Sequence, residues 1–121
     1  FQPAMVAAKA ALEYMLEYDV EAQTRRKGAV IEQYLRDNLP GISGKLGYRG
    51  VGMIWGIDFA AFPAGSAKRA SKNCFERGVV IELAGRGDCV LKLMPPLTIG
   101  EDMLLAGLER IMDAIKSMDL T

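Results

Sequence analysis

Lys92 is the residue of this 121-residue chain whose setting most invites a chemical reading. It lies inside the apolar run Cys89-Val-Leu-Lys-Leu-Met94, and on a strand it shares a face with Val90 and Met94. A long cation is unexpected there unless the face is wet or paired. Two readings follow. In one, Lys92 is a surface lysine paired with Glu82 on a neighbouring strand. In the other it faces a cleft, completed by protein outside this chain, that holds an anionic substrate or partner.

Other chemistry is removed by composition. There is no histidine, which excludes Ser-His-Asp and Cys-His catalysis, HExxH zinc sites and histidine proton shuttling from this chain. Cys74 and Cys89 match no CxxC spacing, so neither a disulfide framework nor a metal motif is present, as expected of a reduced, cytoplasmic protein. Fifteen basic and fifteen acidic side chains cancel, leaving no footprint for nucleic acid or an anionic membrane. The one basic cluster, Arg25-Arg26-Lys27, reads as a solvated helix face. No long apolar run predicts a membrane span or a signal peptide. Gly47-Tyr-Arg-Gly50-Val-Gly52 leads into a second strand rather than a helix, which predicts a turn or bulge and not a phosphate loop. Arg86-Gly87-Asp88 reads as a hairpin loop.

The elements that position Lys92 follow from periodicity. Pro3 to Leu39 is helical, as two helices or one bent near Asp19, with Met5, Ala8, Leu12 and Met15 or Leu16 on the first stripe and Val30, Ile31, Tyr34 and Leu35 on the second. Gly28 interrupts it, either because close packing needs a missing side chain or because the position is tolerated. Pro40-Gly41 is the expected stop. Leu46 to Arg49 is a short strand, Gly50-Val51-Gly52 a turn or bulge, and Met53 to Phe59 alternates with Met53, Trp55, Ile57 and Phe59 inward. Ser66 opens a helix burying Ala67, Ala70, Cys74 and Phe75, ended by Gly78. Strands at Val79 to Leu83 and Cys89 to Met94 flank the Gly85–Asp88 loop. A simple hairpin there sets Glu82 opposite Val90 and Val80 opposite Lys92, making Glu82 and Lys92 diagonal neighbours.

Beyond Pro95-Pro96, Thr98 and Glu101 have the spacing of a capping box, and Leu104, Leu108, Ile111 and Ile115 form one stripe with Leu105 and Met112 beside it. Met5, Met15, Met103, Met112 and Met118 read as core or as a docking face. The order helix-strand-strand-helix-strand-strand-helix predicts an α+β two-layer sandwich, a small, mostly antiparallel sheet with helices on one face. It is expected to be one domain over 1–121, with a helical lead-in at 1–39 and the sandwich at 40–121. A chain that opens on Phe1-Gln2-Pro3 and enters a helix at once is expected to be part of a longer protein.

Three segments carry a resemblance to a known family. Arg49-Gly50-x-Gly52-Met53-x-x-Gly56-Ile57-Asp58, Phe75-x-x-Gly78-Val79-Val80-Ile81-Glu82 and Val90-Leu-Lys-Leu-Met-Pro-Pro-Leu-Thr-Ile99 resemble the carboxy-terminal domain of class III pyridoxal-phosphate aminotransferases. The likeness extends to Phe1–Tyr14, similar to the helix following that family's large domain. The lysine before Met-Pro-Pro-Leu-Thr-Ile and the Trp55-Gly56-Ile57-Asp58 stretch most resemble the diaminobutyrate:2-oxoglutarate aminotransferases of ectoine biosynthesis. The resemblance implies the small domain of a fold-type I enzyme that closes over the active site. The parent is implied to be a homodimer or larger assembly that passes an amino group from L-2,4-diaminobutyrate to 2-oxoglutarate, with pyridoxal phosphate as electron sink. Many relatives carry arginine at the position of Lys92. There it contacts a glutamate and helps the site switch between substrates, so Lys92 is implied to inherit a less bidentate form of that substrate-binding role. The family's cofactor lysine, its pyridinium-pairing aspartate and its phosphate-reaching Thr-Phe segment precede the matched region. None of Lys9, Lys27, Lys45, Lys68, Lys72, Lys92 or Lys116 is therefore assigned as the Schiff-base lysine. The chain alone is expected to be inactive and to bind no cofactor, and its partner is the missing large domain. A stand-alone ligand-binding or regulatory module and a purely structural interaction domain are the alternatives.

Overall fold

The computed structural model describes Glu13 and residues 19–120. Its elements are α1 (Val20–Ile42), β1 (Gly47–Val51), β2 (Ile54–Asp58), α2 (Ser66–Glu76), β3 (Glu82–Ala84), a 3-10 turn at Arg86–Asp88, β4 (Val90–Leu93) and α3 (Glu101–Lys116). The strands form one antiparallel sheet in the order β1-β2-β4-β3. The architecture is thus the expected α+β sandwich with its α-β-β-α-β-β-α order. The lead-in before Asp19, with Met5, Ala8, Leu12, Met15 and Leu16, lies outside the described residues apart from Glu13.

Alternation decides which face of the sheet is covered. Met53, Trp55, Ile57 and Phe59 are buried, and the register sets Trp55 opposite Leu93 and Ile57 opposite Leu91, both also buried. Against this face lie Ile31, Leu35 and Leu39 of α1, Ala67, Ala70 and Cys74 of α2, and Leu104, Leu108, Ile111 and Ile115 of α3. Each set recurs at helical spacing, so each helix contributes one apolar stripe to a single core. Phe75 departs from its expected burial and is 68% exposed. It follows Cys74 by one position, about 100° further round the helix, and so leaves the stripe. Leu105 and Met103 are likewise exposed, whereas Met112 and Met118 are core.

Several boundaries move for identifiable reasons. Asp19 adopts a left-handed conformation (φ 46°) and its carboxylate accepts the Ala22 amide at 3.3 Å, so α1 starts there. Pro40 does not stop α1: it lies in the last turn with its ring toward solvent, and the helix closes two residues later where the Ser43 amide reaches the Leu39 carbonyl at 3.1 Å. Gly50 and Val51 belong to β1 and are not a bulge. The turn is Gly52-Met53, with Gly52 at φ 58°, a positive φ that two-residue hairpins demand and glycine adopts freely. Gly78 (φ 82°) ends α2 as expected, with the Val79 amide on the Cys74 carbonyl and the Gly78 amide on the Phe75 carbonyl, the paired closure of a left-handed cap. Val79–Ile81 stay unpaired because the Ser71 hydroxyl takes the Ile81 carbonyl at 2.9 Å and Pro95 offers no amide across from them. The expected capping box is absent. The Ile99 amide bonds to the Pro96 carbonyl at 3.0 Å, folding Thr98 into a turn, and Gly100 becomes the N-cap.

Gly28 is present for space. A Cβ there would stand 2.3 Å from the Gly52 carbonyl oxygen, which also accepts the Trp55 indole N–H at 2.8 Å. Gly28→Ala therefore pushes the hairpin turn off α1. The expected cost of overpacking, about 1–3 kcal/mol, outweighs the gain of about 1 kcal/mol in helix propensity. Gly107→Ala, on α3 with no atom near its Cβ, is expected to stabilise. Urea unfolding of both variants checks this, and a stabilised Gly28→Ala protein would contradict the packing.

Candidate functional site

The three helices cover one face of the sheet, and the other face carries the charged side chains. On it, Arg49 lies opposite Gly56, Gly56 opposite Lys92 and Lys92 opposite Glu82, one row running across all four strands. This corrects the expected diagonal: Glu82 and Lys92 are directly opposed, with Cβ atoms about 4.5–5.5 Å apart in such a pair. The shift arises in the loop, where Gly85, Gly87 and Asp88 all take positive φ and the 3-10 turn lengthens the connection to five residues. A neighbouring row holds Asp58, which Arg49 approaches at 4.0 Å, an exposed contact of small energetic weight.

Lys92 is half-buried, and with Glu82 it borders a cleft of about 300 Å³ that opens toward the helix side, walled by Leu93 and by Leu104, Leu108 and Ile111 of α3, with Val80, Met94 and Met103 also lining it. Val80 is 80% exposed, and Met94 and Met103 are exposed beside it. The cleft therefore joins an acid, a base and uncovered hydrocarbon. Beside it a second apolar band, Val51, Ile54 and Leu97, is also exposed.

Lys27 overturns the reading of Arg25-Arg26-Lys27 as a solvated face. Arg25 and Arg26 are exposed, with Arg25 pairing Glu21 at 2.8 Å, but Lys27 is only 6% exposed. Its Nζ donates to the Leu97 carbonyl at 2.8 Å, tying α1 to the corner that follows β4. The sequence signal was faint: Lys27 stands four before Ile31 and so at the margin of the buried stripe. Cys74 is fully buried in the core, and burial pushes its thiol up to about 11, slightly opposed by Arg77. Burial also raises the Tyr34 hydroxyl, helped by the carboxylates of Glu109 and Asp113. Among the described residues no cluster of His, Cys, Asp or Glu is arranged to hold a metal ion, and no helix is long and apolar enough to cross a membrane.

No protein-family model matches the chain. It is 42% identical, over 93% of its own length, to the diaminobutyrate-2-oxoglutarate transaminase of Wolinella succinogenes, of which it spans 26%. Among solved structures it overlays on a phospholyase from Arthrobacter, determined with phosphoethanolamine, with TM-score 0.83 and 32% identity over 93% of this chain and 28% of that one. It shares the fold of acetylornithine aminotransferase from Elizabethkingia anophelis at TM-score 0.80 and 20% identity, covering 92% of this chain and 27% of the other. The chain thus spans about a quarter of the length of the curated relatives it matches.

Two outcomes test the site's supports. Lys27→Met keeps the aliphatic stem but strands the Leu97 carbonyl, and is expected to destabilise by about 1–3 kcal/mol, against almost nothing for Arg25→Met. Equal effects in chemical denaturation would contradict the buried tie. The folded state holds the Cys74 proton that the unfolded chain releases near its ordinary value of 9.0, so this residue's contribution to stability is complete below pH 9 and is lost as pH rises toward about 11. A Cys74→Ala comparison of stability across that range, flat for both proteins, would contradict it.

Proposed function

We propose that this chain, which belongs to the class III pyridoxal-phosphate aminotransferases as their carboxy-terminal small domain, closes over the active site of an enzyme that moves the terminal amino group of L-2,4-diaminobutyrate to 2-oxoglutarate, giving aspartate semialdehyde and glutamate. The observation that carries the reading is the 42% identity, over nearly the whole chain, with an enzyme named for those two substrates. The sheet supplies the physical means. Among the described residues the helices lie on one face, which leaves the other to meet a second body of protein, and Lys92 stands on it as a cation for a substrate carboxylate. A lysine binds as a point charge, without the planar fork of an arginine, so this contact tolerates carboxylates that arrive at different angles.

Among the described residues none is arranged to hold pyridoxal phosphate. Gly47 to Gly52 runs as strand into hairpin turn and aims no helix N-terminus at a phosphate, and Lys92 stands opposite a glutamate on an uncovered sheet. In this reading the cofactor is held by the large domain of the parent polypeptide, as expected of the transaminase relatives. That domain is the partner of this one, in a parent enzyme that works as a homodimer or larger assembly in the cytoplasm.

The full-length enzyme carrying this domain is expected to form glutamate from 2-oxoglutarate only when diaminobutyrate is supplied. Lys92→Met is expected to raise the KM for 2-oxoglutarate about tenfold, the effect of one charge-assisted contact. Treated alone with pyridoxal phosphate and borohydride, the 121-residue chain is expected to give no stoichiometric adduct. A stable adduct at one of its lysines, or an enzyme indifferent to diaminobutyrate, would overturn the reading.

A further inference from the structure

We infer that the groove between α2 and the free edge of β3 is a docking site for an extended acidic segment of a second protein, which adds to the sheet as a fifth strand. The site lies in a part of the fold that the proposed catalytic role does not use, and three observations carry it. The first is the edge. β3 ends the strand order and pairs with β4 alone, so its outer side offers backbone N–H and C=O groups that a further strand can take. The second is the groove itself. Ile81 and Leu83 share the helix-covered face, and with the exposed Phe75 of α2 they line an open channel along that edge. The Ser71 hydroxyl on the Ile81 carbonyl holds α2 and the edge in fixed relation.

The third is charge. Lys68, Arg69 and Lys72 line the groove from α2, all exposed, and none of them forms an ion pair among the described residues. α1 neutralises its own cations, Arg25 with Glu21 at 2.8 Å and Arg36 with Glu32 at 3.0 Å. α2 has no acid in its first turn, where Lys68 stands against the helix dipole, whereas α1 opens with Glu21 and α3 with Glu101 and Asp102. Of the nearby carboxylates, Glu82 turns to the opposite face of the sheet and Asp88 lies in the loop at one end. On the helix side, the side chains of an added strand therefore meet three unneutralised cations beside an aromatic ring. Carboxylates at alternate positions complement them, and a basic strand is turned away. An oligonucleotide fits less well, because its phosphodiester backbone has no donor for the edge carbonyls.

The probe is a fluorescein-labelled peptide, Glu-Val-Glu-Val-Glu-Val-Glu, titrated with the full-length enzyme and followed by anisotropy. Binding is expected to weaken tenfold or more as salt rises from about 0.1 M to about 1 M, which shortens the screening length from about 10 Å to about 3 Å. Lys68→Glu with Lys72→Glu is expected to weaken it by about tenfold or more while diaminobutyrate turnover stays unchanged. Methylating one alternating set of peptide amides is expected to abolish binding and the other set to leave it, since only one set of a strand's amides faces its neighbour. Bound peptide is expected to slow hydrogen exchange in Glu82–Ala84. No binding by the wild-type enzyme, equal binding by the charge-reversed variant or equal effects of the two methylated sets would overturn the inference. Tighter binding of oligothymidylate than of the peptide would also overturn it, and all of these outcomes leave the proposed function standing.

Discussion

The antiparallel register around β4 is the constraint on which the rest depends. With Lys92 set between Gly56 and Glu82, Leu91 and Leu93 face the helices and Val90 and Lys92 face away. A slip by one residue would drive the lysine into the core and expose two leucines, so the hydrophobic pattern alone penalises a one-residue shift. Local bonds reinforce it. The Phe59 amide reaches the Cys89 carbonyl at 2.8 Å and sets the entry to β4, while the Ser71 hydroxyl on the Ile81 carbonyl sets where β3 begins.

Either side of that register, α1 fixes the two turns that frame the uncovered face. Gly28 lets the helix touch the β1–β2 turn, and Lys27 holds the Leu97 carbonyl beyond the Pro95-Pro96 corner. A buried ammonium is costly unless it is bonded, so the tie specifies position as much as it stabilises. The result is a rigid frame around a charged row bordered by exposed Val51, Ile54, Met94 and Val80. Apolar surface next to convergent charge is the composition of a face that meets protein over part of its area and ligand over the rest.

Much of this was legible in the sequence. The period-2 run Met53–Phe59 and the stripe Leu104, Leu108, Ile111 and Ile115 depend only on which residues are apolar and at what spacing, and both are buried as read. Lys92 stood out because it broke such a pattern. What stayed hidden depended on geometry that spacing does not encode. Three positive-φ residues, Gly85, Gly87 and Asp88, lengthened the β3–β4 loop and moved Glu82 opposite Lys92. A turn at Pro96–Ile99 displaced the cap from Thr98 to Gly100. Pro40 fitted inside a helix because its last turn faces solvent. Lys27 was hidden for a further reason: its acceptor is a backbone carbonyl 70 residues away, and a carbonyl has no letter in the sequence.

The most direct test of the account is a crystal structure of the full-length enzyme with glutamate bound. The account predicts the helix-free face of this sheet turned toward the cofactor, with Lys92 Nζ within hydrogen-bond reach of a ligand carboxylate. A structure in which that face looks into solvent, with Lys92 touching only Glu82, would contradict it.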